Sequence, residues 1–175
     1  MKYYFFGFLF LFLDFNISLP YGGVLNLLPA FMGYALLILA TVRMGYENPH
    51  FRRLKCLAPV ACVLSMGVFV FNLTAISLPK VAELIMSVVM TFASLYIAYE
   101  FAEGAKALER GLYKKLDADK ISAAWIILSM ASLLMFVSIY FENVFLPCLL
   151  IKLLAVAWFE SATYHFERKL KTKKQ

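Results

Sequence analysis

Charge is scarce in this sequence. Charged residues hold 16% of its 175 positions, against roughly 25% in soluble domains, while apolar residues fill 63%. A soluble domain of this length has too little interior to hide so much apolar surface. The deficit excludes an ordinary water-soluble fold and makes a bilayer the solvent. Histidine and cysteine are also few. His50 and His165 stand far apart, and Cys56, Cys62 and Cys148 are odd in number and lack CxxC spacing. No metal site follows from that pattern, and the thiols read as small apolar side chains. The phosphate-binding glycine loop, the dinucleotide fingerprint, the His-Glu-x-x-His zinc motif and the serine nucleophile elbow are all missing from the sequence. No cofactor is implied, and catalysis has no positive support. A polar face on which to display charge is lacking too, so the net charge of +6 does not imply nucleic acid.

What the chain does have is six long apolar runs: 2–19, 27–45, 57–76, 79–101, 121–141 and 147–166. A spanning helix needs about 20 such residues at 1.5 Å of rise each. The expected fold is therefore all-α, a polytopic transmembrane bundle of six helices that pair as three helical hairpins. The whole chain forms one membrane domain, with 167–175 as a basic tail. The run "YYFFGFLFLFL" follows a single basic residue, Lys2, and no small-x-small cleavage site comes after it. It reads as a retained span, not a signal peptide.

Lysine and arginine give the orientation. Lys2 lies at the start; Arg43, Arg52, Arg53 and Lys55 flank the second connection; Lys106, Arg110, Lys114, Lys115 and Lys120 flank the fourth; and Arg168, Lys169, Lys171, Lys173 and Lys174 fill the tail. The opposite side holds only Lys80, and Lys152 falls within the sixth span. Both termini are expected in the cytoplasm of a bacterial cell with the protein in its inner membrane. Arg52, Arg53, Lys114 and Lys115 are the candidate contacts for anionic headgroups or a membrane partner. "LLPAFMG", "SLPKVAE" and "FLPCLLI" each place a proline, Pro29, Pro79 or Pro147, where a helix is expected to start. In the fourth connection, Ala105, Leu108, Leu112 and Leu116 recur at helical spacing. They predict a helical extension of the fourth span, followed by Asp119 as N-cap of the fifth.

The stretch "LFLDFNISLPYGGVLNLLPAFMGY" (11–34) breaks the oil. Pro20, Gly22 and Gly23 suit a turn between the first two spans, and Gly33 a close helix contact. Asp14 lies roughly 7–8 Å inside the outer boundary. Glu83 and Lys152, counted from Pro79 and Pro147, lie at a comparable depth. Ionisable groups in a span usually face the bundle interior and pair. Asp14, Glu83 and Lys152 are therefore candidates for one outward-facing polar pocket, with Asn72 and Asn143 adding neutral hydrogen bonds. The competing reading is a structural ion pair with one carboxylate reaching water. Glu160, in the inner half of the sixth span, reads as an interface anchor. Small residues at four-residue spacing, Ser94, Ala98 and Ala102, then Ala157 and Ser161, mark internal packing or a homodimer seam.

The segments "FLFLDFNI", "NLLPAFMGYALLILATVRM" and "NPHFRRLKCLAPVACVLSM" resemble a family of small polytopic membrane proteins from anaerobic Gram-positive bacteria. The N-terminal helical hairpin in that family often reads LDFNI…ILPDFIGYILI. The resemblance covers Phe8 to Met66; Asp14, Asn16, Pro29, Gly33 and Tyr34 match the pattern, and Ala30 stands where an acid is common. It implies membrane location and six spans, and no activity. The leading expectation is a small transporter-like or ligand-binding membrane protein. Its rival is a non-catalytic accessory or scaffold acting through the basic segments, and a lipid-modifying enzyme comes third.

Overall fold

Residues 2–13, 16–18, 24–44, 48–74, 79–113, 115–138 and 141–171 are described by the computed structural model of the chain. The elements are α1 (Tyr3–Phe12), β1 (Asn16–Ser18), β2 (Val24–Asn26), α2 (Ala30–Met44), α3 (Pro49–Leu73), α4 (Lys80–Leu112), α5 (Ala118–Ser138) and α6 (Glu142–Lys171). The fold is all-α in its framework, as the apolar runs require. Each helix packs on the next in sequence, α6 closes the ring on α1, and α1 reaches across to α4.

The six helices are unequal. Among the described residues, α3 to α6 are long and apolar enough to cross a membrane, and they make this an integral membrane protein. With 10 and 15 residues, α1 and α2 are about 15 and 22 Å long, short of a hydrocarbon core about 30 Å thick. The expected first span, 2–19, is corrected accordingly. Its helix stops at Phe12, Leu13 is extended, and Asn16–Ser18 pairs antiparallel with Val24–Asn26, Ile17 opposite Leu25. The residues at the break explain it. Asn-Ile-Ser and Val-Leu-Asn flank Leu-Pro-Tyr-Gly-Gly, β-branched residues around a turn-forming stretch. Pairing the two segments satisfies backbone groups that leave the helix near the apolar phase.

Other boundaries move for local reasons. The third helix begins at Pro49 instead of 57, because the Asn48 side chain accepts from the Phe51 N–H and proline sits in the first turn. Arg52, Arg53 and Lys55 therefore stand on a helix and not in a loop. The expected extension of the fourth span is present: α4 continues to Leu112, with Ala105 and Leu108 buried. Asp119 is not the cap of α5. The helix starts one residue earlier, and the Glu109 carboxylate accepts from the Ala118 N–H at 2.7 Å. Pro29 and Pro79 immediately precede their helices, but Pro147 lies inside α6, so the Leu-Pro pattern marks two helix starts out of three.

Ring contacts gather at the end where α1 begins and α6 finishes, here called the terminal end. Phe8 of α1 meets Phe101 of α4 at 5.1 Å and Phe159 of α6 edge-on at 5.1 Å. Tyr4 lies 4.5 Å from Phe101, which also meets Phe166. Short as it is, α1 is the centre of this half. It touches α2 backbone to backbone: a Cβ on Gly33 would stand 2.6 Å from the Gly7 carbonyl oxygen. The close contact expected at Gly33 is real, and only a residue without a side chain permits it.

Candidate functional site

Near the terminal end, α6 carries Glu160, Thr163 and Glu167, at positions i, i+3 and i+7, on one face. All three are buried. Glu167 identifies what that face meets, because its Oε1 accepts from the Tyr4 N–H at 3.1 Å. Lys2, which occupies the N-cap of α1, offers no side-chain cap. Glu167 supplies that cap from another helix, and its negative charge suits the positive end of the α1 dipole. Lys2 lies 4.9 Å above the Tyr164 ring, which ties the start of α1 to the same stretch of α6.

Glu160 has no such structural role. It is 4% exposed, and neither carboxylate oxygen has a hydrogen-bond partner among the described residues. The Thr163 hydroxyl and Glu167 Oε2 are unpartnered in the same way. A buried carboxyl without a partner costs several kcal/mol in an apolar medium, so sequences rarely keep one there without use. Beside it, a groove of about 490 Å³ runs down the flank between α1 and α6. Phe5, Leu9, Leu153, Val156 and Tyr164 line it, with Glu160 in its wall and Ser161 at its edge. The size suits a small ligand, and the lining is apolar apart from Glu160, Ser161 and Tyr164, with the Glu160 oxygens themselves covered.

A second polar cluster provides the contrast. Glu100 of α4 has no exposed side-chain surface, yet its oxygens lie 2.8 Å from His50 Nδ1 and 3.3 Å from Arg53 Nη1. Asn48 Nδ2 donates to the Gly104 carbonyl at 2.9 Å. These bonds fasten the start of α3 to α4 and leave Glu100 satisfied. Outside the spans, Asp117 receives Lys169, and Lys120 lies 3.6 Å away. The Lys169 hydrogen bond, with Lys120 beside it, holds the Asp117 carboxyl below its ordinary range.

The residues singled out from sequence fall as follows. Asp14 lies outside the described residues, as does Lys114. Glu83, Asn72 and Asn143 are exposed and Lys152 is half-buried. No ion pair joins Glu83 and Lys152 among the described residues. Arg52 and Lys115 are exposed, whereas Arg53 is committed to Glu100. Ser94, Ala98 and Ala102 are buried and serve internal packing; Ala157 and Ser161 are exposed along the groove. Glu160 is no interface anchor: it sits inside the bundle. Thr163 and Glu167 escaped the sequence reading. The spacing in "FESATYHFE" carried the signal, two acids seven residues apart with a threonine between. No protein-family model, curated protein or solved structure matches the chain.

Proposed function

We propose that this integral membrane protein is a small transporter-like or ligand-binding protein whose working group is Glu160, approached sideways through the groove between α1 and α6. The observation that carries the reading is a buried carboxyl with two unpartnered oxygens in the wall of that groove. The apolar lining favours a lipophilic body, and the acid favours one positive or hydrogen-bond-donating group on it. A lipophilic primary amine has that chemistry. The outward-facing polar pocket of Asp14, Glu83 and Lys152, with Asn72 and Asn143, stays part of the same proposal as a separate polar site. The lysine and arginine asymmetry supports termini in the cytoplasm of a bacterial cell membrane, in keeping with the family resemblance.

Dicyclohexylcarbodiimide dissolved in the bilayer tests this, because it reacts with protonated carboxyls reached from the apolar phase. Peptide mass spectrometry should find the adduct on Glu160, and dodecylamine in the same vesicles should protect it. An adduct confined to other carboxyls, or one indifferent to the amine, overturns the reading.

The accessory reading draws on one observation: Arg52 and Lys115 are exposed at the end where the basic residues gather, placed for anionic headgroups. Its measurement is binding to phosphatidylserine nanodiscs, which neutralising Arg52, Lys114 and Lys115 together should weaken.

A further inference from the structure

Four of the five buried side-chain atoms without a partner among the described residues lie on one face of α6: both Glu160 oxygens, Thr163 Oγ1 and Glu167 Oε2. The fifth is Ser122 Oγ on α5. Unpartnered groups are rare in a folded interior, so their gathering in one row needs a common cause. Steps of three and four residues bring neighbouring Cβ atoms within about 5–6 Å, a gap that a single bridging water spans. From Glu160 to Glu167 the row covers about 10.5 Å along the axis. It ends beside Lys2 and the start of α1, at the terminal end.

The hydroxyls of Tyr4 on α1 and Thr41 on α2 are already in use. The Tyr4 hydroxyl donates to Thr41 Oγ1 at 3.1 Å, and Thr41 donates to the Leu37 carbonyl at 2.7 Å. Facing the row from α1 are Tyr4 and, at its inner end, Lys2. On α5 the charged side chains are Asp119 and Lys120, both exposed near its start. On α6 itself, His165 and Arg168 are exposed. No cation therefore neutralises Glu160 at its own depth among the described residues.

We infer that Glu160, Thr163 and Glu167 form a proton path that links the groove carboxyl to the aqueous phase at the terminal end. This rests on Glu160 being the working group, and it adds coupling: a ligand cation takes the carboxylate as the proton leaves. The proton passes from Glu160 through water to the Thr163 hydroxyl, which accepts it and releases its own towards Glu167. Glu167 Oε2 then delivers one proton to water at the chain ends. Uptake follows the reverse order, so protons balance and no electron moves.

Infrared spectroscopy of the full-length protein in lipid vesicles tests the path through the protonated carboxyl band that Glu160→Gln removes. After a switch to heavy water, the shift of that band times proton exchange at Glu160. Thr163→Val and Glu167→Gln, both close in shape to the originals, should each slow exchange by about tenfold to a hundredfold. Thr163→Ser should restore the wild-type rate. Unchanged exchange in both slow variants, or a Glu160 band absent at every pH where the protein is folded, overturns the path. Carbodiimide labelling of Glu160 with unchanged exchange would keep the groove and remove the path. Slowed exchange without labelling would do the reverse.

Discussion

At the terminal end, Tyr4, Phe8, Phe101, Phe159 and Phe166 are all buried in one aromatic cluster. At the opposite end, every side chain of α4 from Glu83 to Ser87 is exposed, and so is every one of α6 from Asn143 to Pro147. One chain thus holds two kinds of membrane structure. The first is packed by close ring contacts and pinned by Asn48, Glu100 and Glu167. In the second, long exposed stretches of α4 and α6 face outward, and support comes from the β-strand pair, the α2–α3 contact and the α5–α6 contact, where Ser138 and Cys148 are buried. The difference shows where order is needed. Dispersion between well-fitted side chains is what holds helices together where lipid is as apolar as leucine, and this protein concentrates that fit around Glu160.

The comparison can be broken by cutting the aromatic cluster. Phe101→Ala removes a buried ring that touches α1, α3 and α6. It should cost towards the lower end of about 3–5 kcal/mol, because lipid already solvates the ring in the unfolded chain. Thermal unfolding in detergent would measure this, and Phe92→Ala, an exposed ring on the same helix, should change little. Glycine gives the second pair. Gly33→Ala drives a methyl into the Gly7 carbonyl and should destabilise by about 2–3 kcal/mol. Gly67→Ala, which meets nothing within 4 Å, should be neutral or gain about 0.5–1 kcal/mol. Equal losses at both glycines would mean that the two halves are packed alike.

Glu100→Gln comes third. It weakens the link to His50 and Arg53 and should cost about 2 kcal/mol, visible as faster proteolysis at the α2–α3 connection. The smallest effect belongs to Asp117, which stands at φ 60, where asparagine fits well. A carboxyl held below its ordinary pKa stabilises the fold above the unfolded value. That contribution fades as pH falls from the ordinary 3.8 through the lower folded value. Asp117→Asn should therefore lower the melting temperature slightly at pH 7, and the gap to wild type should close under strong acid. A gap that stays constant would assign the effect to packing.

Much of the framework was legible. The six apolar runs predict six helices in order, the Gly33 contact follows from a small residue inside a span, and the Ala105–Leu108 spacing predicts the long α4. The β-hairpin was harder to read. In the stretch after Phe12, an apolar run with one acid looks like a continuing helix, and three-residue strands are too short to show a period of two. Glu160 was visible as a residue, but its burial was not. Depth along a helix comes from counting, whereas burial depends on rotation about its axis. Apolar residues surround these helices on all sides, so no stripe in the sequence points to the interior.

The sequence alone determined the solvent, the number and order of helices, and the common end of the two termini, because those depend on composition and on the parity of apolar runs. Tertiary structure alone decided which acids are satisfied. Glu100 finds His50 and Arg53 from a helix about fifty residues away, Glu167 finds the start of α1 at a separation of 163, and Glu160 finds no partner among the described residues. Partnership between distant residues is set by how helices rotate and close into a ring, and that is a property of the packed bundle.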